Sequence, residues 1–503
     1  MSAGNTNSEL VRALTRQAAT RPHSLALVAG AESLTYRDLL TAVRELSNTL
    51  SSLQASTVGV VADNGIAWAL ADLAALNAGL RCVPLPLFFS PAQTAHALAS
   101  AGVDLLLVDA RLPGAPQPSE ARDCTDRLAS AQRDWLRAAR LPTTPVALPK
   151  GTCKITYTSG TTGSPKGVCL GIDSQESVAK ALLRASGADS SSRHLCALPL
   201  ATLLENVGGL YAPLLAGATT HVPSLADVGL VGASGFDVTR LLAAIDKAAA
   251  SSVILVPQLL QALIEAIERG ARPPASLRFV ALGGAPVSPR LLERATALGL
   301  PVFEGYGLSE CASVVALNSC EAACVGSVGR PLSHVDVTLA ADGEIMVSGN
   351  GYLGYVGESP RDVGTPVATG DLGRFDEHGF LYVTGRKKNI FVTAYGRNVA
   401  PEWVERELCL QQEIAQAAVF GEAAPWNVAV IVPRMRDVEA IQAAVDRANQ
   451  DLPDYARVRR WIMGTAPFSP ANDQATANGR LRRGPILAAY GTQIQNLYEE
   501  ETA

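Results

Sequence analysis

Apolar residues recur along this chain with two different periods, and the switching between them outlines an architecture. Short runs rich in β-branched residues, Thr57 to Ala62 (TVGVVA), Val103 to Asp109 (VDLLLVD) and Ser252 to Pro257 (SVILVP), read as buried strands. Helical spacing precedes or follows them at Ile66 to Ala78, Pro91 to Ala101 and Val238 to Ala250, and an amphipathic helix is expected from about Ser8. Strands alternating with helices in this way predict α/β layers with largely parallel sheets.

After about Val325 the runs shorten. Val335 to Leu339, Glu344 to Val347 and a hairpin-like Gly373 to Val383 turning at Glu377-His378-Gly379 predict a smaller β module over about 325–386. Beyond Lys388 a helix at Pro401 to Cys409 and strands at Ala417 to Gly421 and Val428 to Pro433 predict a compact α+β domain of about 115 residues. The expected fold is therefore α/β. A large N-terminal domain over 1–386, of layered α/β sheets plus the β module, precedes a small mobile α+β C-terminal domain over 387–503. Leu112 to Pro118 and Leu141 to Pro149 read as surface connections.

Composition narrows the function. A length of 503 residues suits roughly three domains, and an apolar share of 48% is ample for buried cores. The net charge of -5 and pI near 5.8, without a long run of like charges, argue against a nucleic-acid surface or a polybasic membrane patch. Val253 to Ile264 is interrupted by Pro257 and Gln258 and falls short of the roughly 18 apolar residues of a membrane span. The N-terminus has no charged segment followed by an apolar core, so no secretion signal is expected. Nine cysteines are scattered without CxxC pairs, and the closest two, Cys320 and Cys324, have no histidine cluster beside them. Reduced thiols and a cytoplasmic location are expected. His194, His334 and His378 form no acid–base constellation and are expected to be structural.

The candidate chemistry begins at Thr158-Ser159-Gly160-Thr161-Thr162-Gly163-Ser164-Pro165-Lys166-Gly167. Hydroxyls, backbone N–H groups exposed by glycine and one ammonium are phosphate ligands. Neither a Walker A register nor GxGxxG fits the segment. Composition alone would also suit a serine/threonine/glycine linker; the order of residues decides. TSGTTGSPKG resembles the phosphate-binding signature of the adenylate-forming superfamily of acyl-CoA synthetases, nonribosomal peptide synthetase adenylation domains and luciferases. Companion motifs follow in that family's order from Leu34-Thr35-Tyr36 to the last thirty residues, so the resemblance covers essentially the whole chain.

The resemblance implies a set of roles. Thr158, Ser159, Gly160, Thr161, Thr162, Gly163 and Lys166 would hold ATP phosphates. Gly283, Gly284 and Ala285 in Val280 to Ser288 would line the nucleobase. In Gly305-Tyr306-Gly307-Leu308-Ser309-Glu310, Tyr306 would stack on adenine, Ser309 would bond the α-phosphate and Glu310 would hold Mg²⁺, a hard cation suited to carboxylate and phosphate oxygens. Asp371 would accept from the ribose hydroxyls, and Arg386 would follow it onto the nucleotide. A hinge is placed at Lys387-Lys388, where rotation of the C-terminal domain would bring Thr393 to Asn398 to a thiol tunnel, Gly396 leaving room for pantetheine.

Two departures from the family matter. Its late catalytic lysine aligns with Arg480 in Thr476-Ala477-Asn478-Gly479-Arg480-Leu481-Arg482-Arg483, and no lysine occurs after Lys388. Arginine keeps the charge but not the shape. In Leu198-Pro199-Leu200-Ala201-Thr202-Leu203-Leu204-Glu205-Asn206, Thr202 stands where long-chain synthetases usually have histidine. This segment, with Lys387-Lys388-Asn389 and Asn398 to Trp403, nevertheless points towards fatty acyl rather than amino-acid activation. The expected activity is an AMP-forming acid–thiol ligase acting on a medium- or long-chain fatty acid with ATP, Mg²⁺ and CoA. Catalytic roles are expected for Arg480, Lys166, Ser309 and Glu310. The alternatives are a ligase for an acyl carrier protein acting in trans through its phosphopantetheine, and a nucleotide- or acyl-adenylate-binding protein that has lost adenylation.

Overall fold

The computed structural model describes residues 8–112, 121–128, 132, 134–158, 165–231, 235–362, 364–476 and 479–499. Two large mixed sheets dominate it. In the first, Leu25–Ala29, Thr219–His221, Arg193–Leu195, Ser252–Leu255, Phe279–Leu282 and Val302–Leu308 pair in parallel in that spatial order. Antiparallel strands close its ends: Glu32–Thr35 on one side, Ser313–Leu317 and Arg330–Pro331 on the other. The second sheet has a parallel centre of Lys154–Thr158, Arg81–Pro84, Thr57–Val61 and Leu105–Asp109, again flanked by antiparallel strands. Within these two sheets parallel pairing is confined to the central strands.

Local signals set the element ends. Ser8 caps the helix Glu9–Thr20 and its hydroxyl donates to Glu176 at 2.6 Å, docking the helix on the core. Ile66–Asn77 is buried on nearly every face and packs between layers. The strand expected to reach Pro257 stops at Leu255, because Pro257 opens the helix Pro257–Glu268 and cannot donate to a ladder.

Asp336–Leu339, Glu344–Ser348, Val367–Phe375 and Leu381–Arg386 form an all-antiparallel sheet. Two short strands from the same stretch of chain serve the large sheets instead: Arg330–Pro331 joins the first, and Gly354–Tyr355 joins the second beside Lys166–Leu170. In the C-terminal region Ile414–Phe420, Asn427–Pro433 and Val458–Met463 form a three-stranded sheet. One apolar cluster around Val404, Leu408, Ile431 and Ile441 and another around Phe468, Ile486 and Tyr490 give this region its own core.

Two buried polar networks fix the segment 194–211. Lys154 Nζ lies 2.8 Å from Asp72 Oδ1 and donates to the Tyr211 hydroxyl at 2.9 Å and to Asn206 Oδ1. Tyr211 in turn donates to Asp72 Oδ2 at 2.7 Å. Nearby, His194 Nε2 meets Glu205 Oε1 at 3.0 Å, and Glu205 Oε2 accepts the Leu198 N–H. Each charge has a partner, as burial requires. Cys196 stands with this His–Glu pair, its thiol held neutral by burial first and the Glu205 charge second. His194 is held between Ser252 and Glu205, and the nine cysteines are all free thiols.

Candidate active site

A cleft runs between the C-terminal ends of the parallel strands of the first sheet and the C-terminal region. Its floor is built from the bulged strand Val302–Leu308, whose register slips between Tyr306 and Gly307 against Ser313–Leu317. A Cβ on Gly307 would sit 1.8 Å from the Ser313 carbonyl, so only glycine permits this approach. The slip lets the Tyr306 hydroxyl donate to Asp371 Oδ2 at 2.7 Å. Asp371 faces Arg386 across the ladder of Val367–Phe375 and Leu381–Arg386, and Arg386 Nε closes on its other oxygen at 2.8 Å. Asp371 is only 4% exposed, and both of its oxygens are held by charged or polar donors. Burial first, and the Asp371 charge second, push the Tyr306 phenol upward and keep it protonated.

Ser309 and Glu310 follow in a tight turn, Ser309–Cys311, on the same wall. Glu310 Oε1 accepts from the Tyr355 hydroxyl at 2.9 Å. Lys166 lies 4.9 Å over the Tyr355 ring and 3.4 Å from Glu358 Oε1. Thr158 and Lys166 end and begin paired strands and stand opposite one another; Ser159, Gly160, Thr161, Thr162 and Gly163 lie outside the described residues. Gly283, Gly284 and Ala285 leave the strand Phe279–Leu282 and line the cleft opposite Gly305, with Gly284 at φ +87°.

The C-terminal region supplies Arg480. A turn closed by Thr476 N–H to Arg480 O at 2.7 Å and Arg480 N–H to Thr476 Oγ1 at 3.1 Å carries it into the cleft. The turn approaches the large domain: the position of a Cβ on Gly479 lies 3.8 Å from Gln258 Nε2. Arg480 has an exposed side chain in the cleft, yet the walls around it lower its guanidinium from the ordinary range. The Arg386 charge adds to this, while the Asp371 and Glu310 charges oppose it. Lys388 is lowered by enclosure first, then by Arg386 and Arg480. Lysine and arginine charges thus converge around two carboxylates, an arrangement suited to a polyanion. Gly396 is not brought in; it occupies an exposed turn outside the cleft, beside Tyr395 at 76% exposure.

Residues 14–356 match the AMP-binding enzyme family, and residues 388–502 match the C-terminal domain of AMP-binding enzymes. The chain belongs to the AMP-binding enzyme family. Relatives in this family differ in the acid they are named for. The long-chain-fatty-acid–CoA ligase FadD15 of Mycobacterium bovis is 31% identical over 256 residues, 44% of this chain and only 42% of that ligase's length. The feruloyl-CoA synthase of an Amycolatopsis species is 31% identical over 447 residues, 83% of this chain and 87% of the synthase. The crystal structure of anthranilate CoA ligase AuaEII with anthranoyl-AMP superposes with a TM-score of 0.80 at 20% identity, covering 97% and 98% of the two chains, which shows a shared fold. Among the described residues no helix is long and apolar enough to cross a membrane.

Several cleft residues escaped the sequence reading. Tyr355 sits in the stretch of short runs after Val325 and belongs to no motif named above. Glu304 precedes the Gly305 to Glu310 motif and is buried, its Oε2 without a hydrogen-bond partner among the described residues. Burial pushes its carboxyl up to about 8 from 4.5, with Arg406 opposing. Between those values the folded protein keeps a proton that the unfolded chain has released. Stability is therefore lost as pH rises through this window, by at most about 1.4 kcal/mol per pH unit. Urea midpoints measured at pH 5 and pH 8 should fall less for Glu304→Gln than for the native protein; parallel trends would refute this.

Proposed function

We propose that this AMP-binding enzyme is an AMP-forming acid–thiol ligase that joins a medium- or long-chain fatty acid to CoA through an acyl-adenylate. The observation that carries the reading is the convergence of Tyr306, Glu310, Asp371, Arg386 and, from the C-terminal region, Arg480 on one cleft. In the reaction a carboxylate oxygen attacks the α-phosphorus of ATP, the bond to the bridging oxygen breaks and pyrophosphate leaves. A thiol then attacks the carbonyl carbon of the acyl-adenylate, its C–O bond breaks, AMP departs and the thiol proton passes to solvent. The first step brings two anions together, so positioning and positive charge lower its barrier.

The roles follow the site. Gly283, Gly284, Ala285, Tyr306 and Gly307 would hold the adenine, Asp371 the ribose hydroxyls, and Arg386 and Ser309 the adjoining phosphate. Thr158, Ser159, Gly160, Thr161, Thr162, Gly163 and Lys166 would take the remaining phosphates, and Arg480 would bridge the carboxylate and the α-phosphate. Glu310 fits a hard divalent cation: it is a cleft carboxylate with one oxygen held by Tyr355, leaving the other for a metal. Mg²⁺ bound there would neutralise phosphate charge as the anions meet. Lys387 is held by Asp342 at 2.5 Å and Glu344 at 2.9 Å, which makes it a fixed point at which the C-terminal domain, 387–503, could turn to bring Gly396 towards the thiol.

Support for an alkyl substrate comes from an apolar recess of the cleft lined by Leu198, Leu204, Gly208, Ile254, Val256 and Ala281. A Cβ on Gly208 would lie 2.8 Å from Ile254 Cδ1 and narrow it. Gly208→Val should lower kcat/KM for the longest acid accepted by about 10-fold or more while sparing short acids; equal losses for both would remove the recess as the chain site. Mass spectrometry of products after incubation with ATP, Mg²⁺, CoA and a mixture of fatty and aromatic acids tests the reading. Fatty acyl-CoA with matching AMP is expected. Aromatic thioesters would replace the acid class, AMP without acyl-CoA would favour a carrier protein as acceptor, and no turnover would overturn the ligase.

A further inference from the structure

The segment 352–361, which holds none of the residues given roles above, packs against both Lys166 and Glu310. Its backbone is joined to the strand that carries Lys166: Gly354 and Tyr355 pair with Cys169 and Val168. It is also tied to the turn that carries Glu310, because the Tyr352 N–H donates to the Glu310 carbonyl at 2.7 Å. Between these two attachments Tyr355 meets both charged side chains. Its hydroxyl donates to Glu310 Oε1 at 2.9 Å, and Lys166 Nζ sits 4.9 Å over its ring. Tyr352 fixes the ring from the side at 4.8 Å between centroids and is itself covered by the Arg361 guanidinium at 5.4 Å.

We propose that Tyr355 is a positioning residue that sets the metal-binding carboxylate and the phosphate-binding lysine relative to one another, the hydroxyl orienting Glu310 and the ring supporting Lys166. The inference rests on the nucleotide reading of the cleft and adds to it a residue that acts through Glu310 and Lys166. A carboxylate with one oxygen held by a donor presents the other in a fixed direction, and such outer partners govern metal affinity. The ring face offers an ammonium a resting place whose strength depends on the π system and not on the hydroxyl. The two functions of the side chain can therefore be separated.

Tyr355→Phe removes the bond to Glu310 and keeps the ring under Lys166. Mn²⁺, used as a paramagnetic probe, is titrated into the full-length protein with saturating ATP and followed by electron paramagnetic resonance, and ATP affinity is measured separately without metal. The expected result for Tyr355→Phe is a loss of Mn²⁺ affinity of about 10-fold, with metal-free ATP affinity and thermal midpoint unchanged. Tyr355→Leu should lose ATP affinity as well, since Lys166 then loses its support. Unaltered Mn²⁺ binding in Tyr355→Phe would overturn the inference while leaving the nucleotide site intact, as would equal losses of metal and metal-free ATP affinity. A native protein that binds no Mn²⁺–ATP would overturn the nucleotide reading and this inference with it.

Discussion

Arg480→Ala is expected to slow acyl-adenylate formation by about 10²- to 10³-fold, the usual cost of removing one preorganised donor from a developing charge. The geometry explains why so much rests on one side chain. Arg480 is delivered by a turn of the C-terminal region, and the Asp371 and Glu310 charges act on it across the cleft. Arg386 and Lys388 are also near, but Arg386 is committed to Asp371 at 2.8 Å. The loss should appear in kcat of the adenylation half-reaction, measured as acid-dependent exchange of labelled pyrophosphate into ATP. Thioester formation from supplied acyl-adenylate should be spared, because no phosphate bond is then made. Arg480→Lys is the sharper variant. A site built around a planar fork should lose about 10-fold with a shorter-reaching ammonium. Faster exchange than in the native protein would show that the arginine is an impaired substitute for lysine.

Asp371→Ala carries the second large effect. One buried carboxylate holds both the Tyr306 hydroxyl and the Arg386 guanidinium, so its removal strands two donors at once. Charge-assisted bonds of this kind are worth about 1.5–3 kcal/mol, and the KM for ATP should rise by about 10- to 100-fold on that scale. The thermal midpoint should drop too, since Arg386 would face Arg480 and Lys388 without its counter-charge. A variant with native KM for ATP would remove Asp371 from the nucleotide site.

Much of this was legible in the chain because local chemistry writes it there. The helix at Pro401–Cys409 falls where expected, with its proline in the first turn, and Pro91–Ser100 follows its capping serine, Ser90. The Gly305 to Glu310 motif, Asp371 and Arg386 were each readable as order within a short window, and the fold brings them to one cleft. What could not be read is long-range pairing. Nothing local says that Leu25–Ala29 lies beside Thr219–His221, since register between distant strands is set by tertiary burial. Tyr355 was hidden for the same reason: its meaning arises only when a two-residue strand docks against Lys166–Leu170. Glu304 reads as an ordinary charged residue until the sheet that pairs it with Leu282 buries it.

The most direct test of the account follows one oxygen atom. Incubation with ATP, Mg²⁺, CoA and a fatty acid labelled with ¹⁸O in its carboxyl group should place one ¹⁸O in the phosphate of the AMP released, because the carboxylate oxygen that attacks the α-phosphorus stays there when the thiol takes the acyl group. Label recovered in inorganic phosphate, with ADP as the nucleotide product, would mean attack at the γ-phosphorus. That result, or AMP free of label, would contradict the acyl-adenylate on which the reading of this cleft depends.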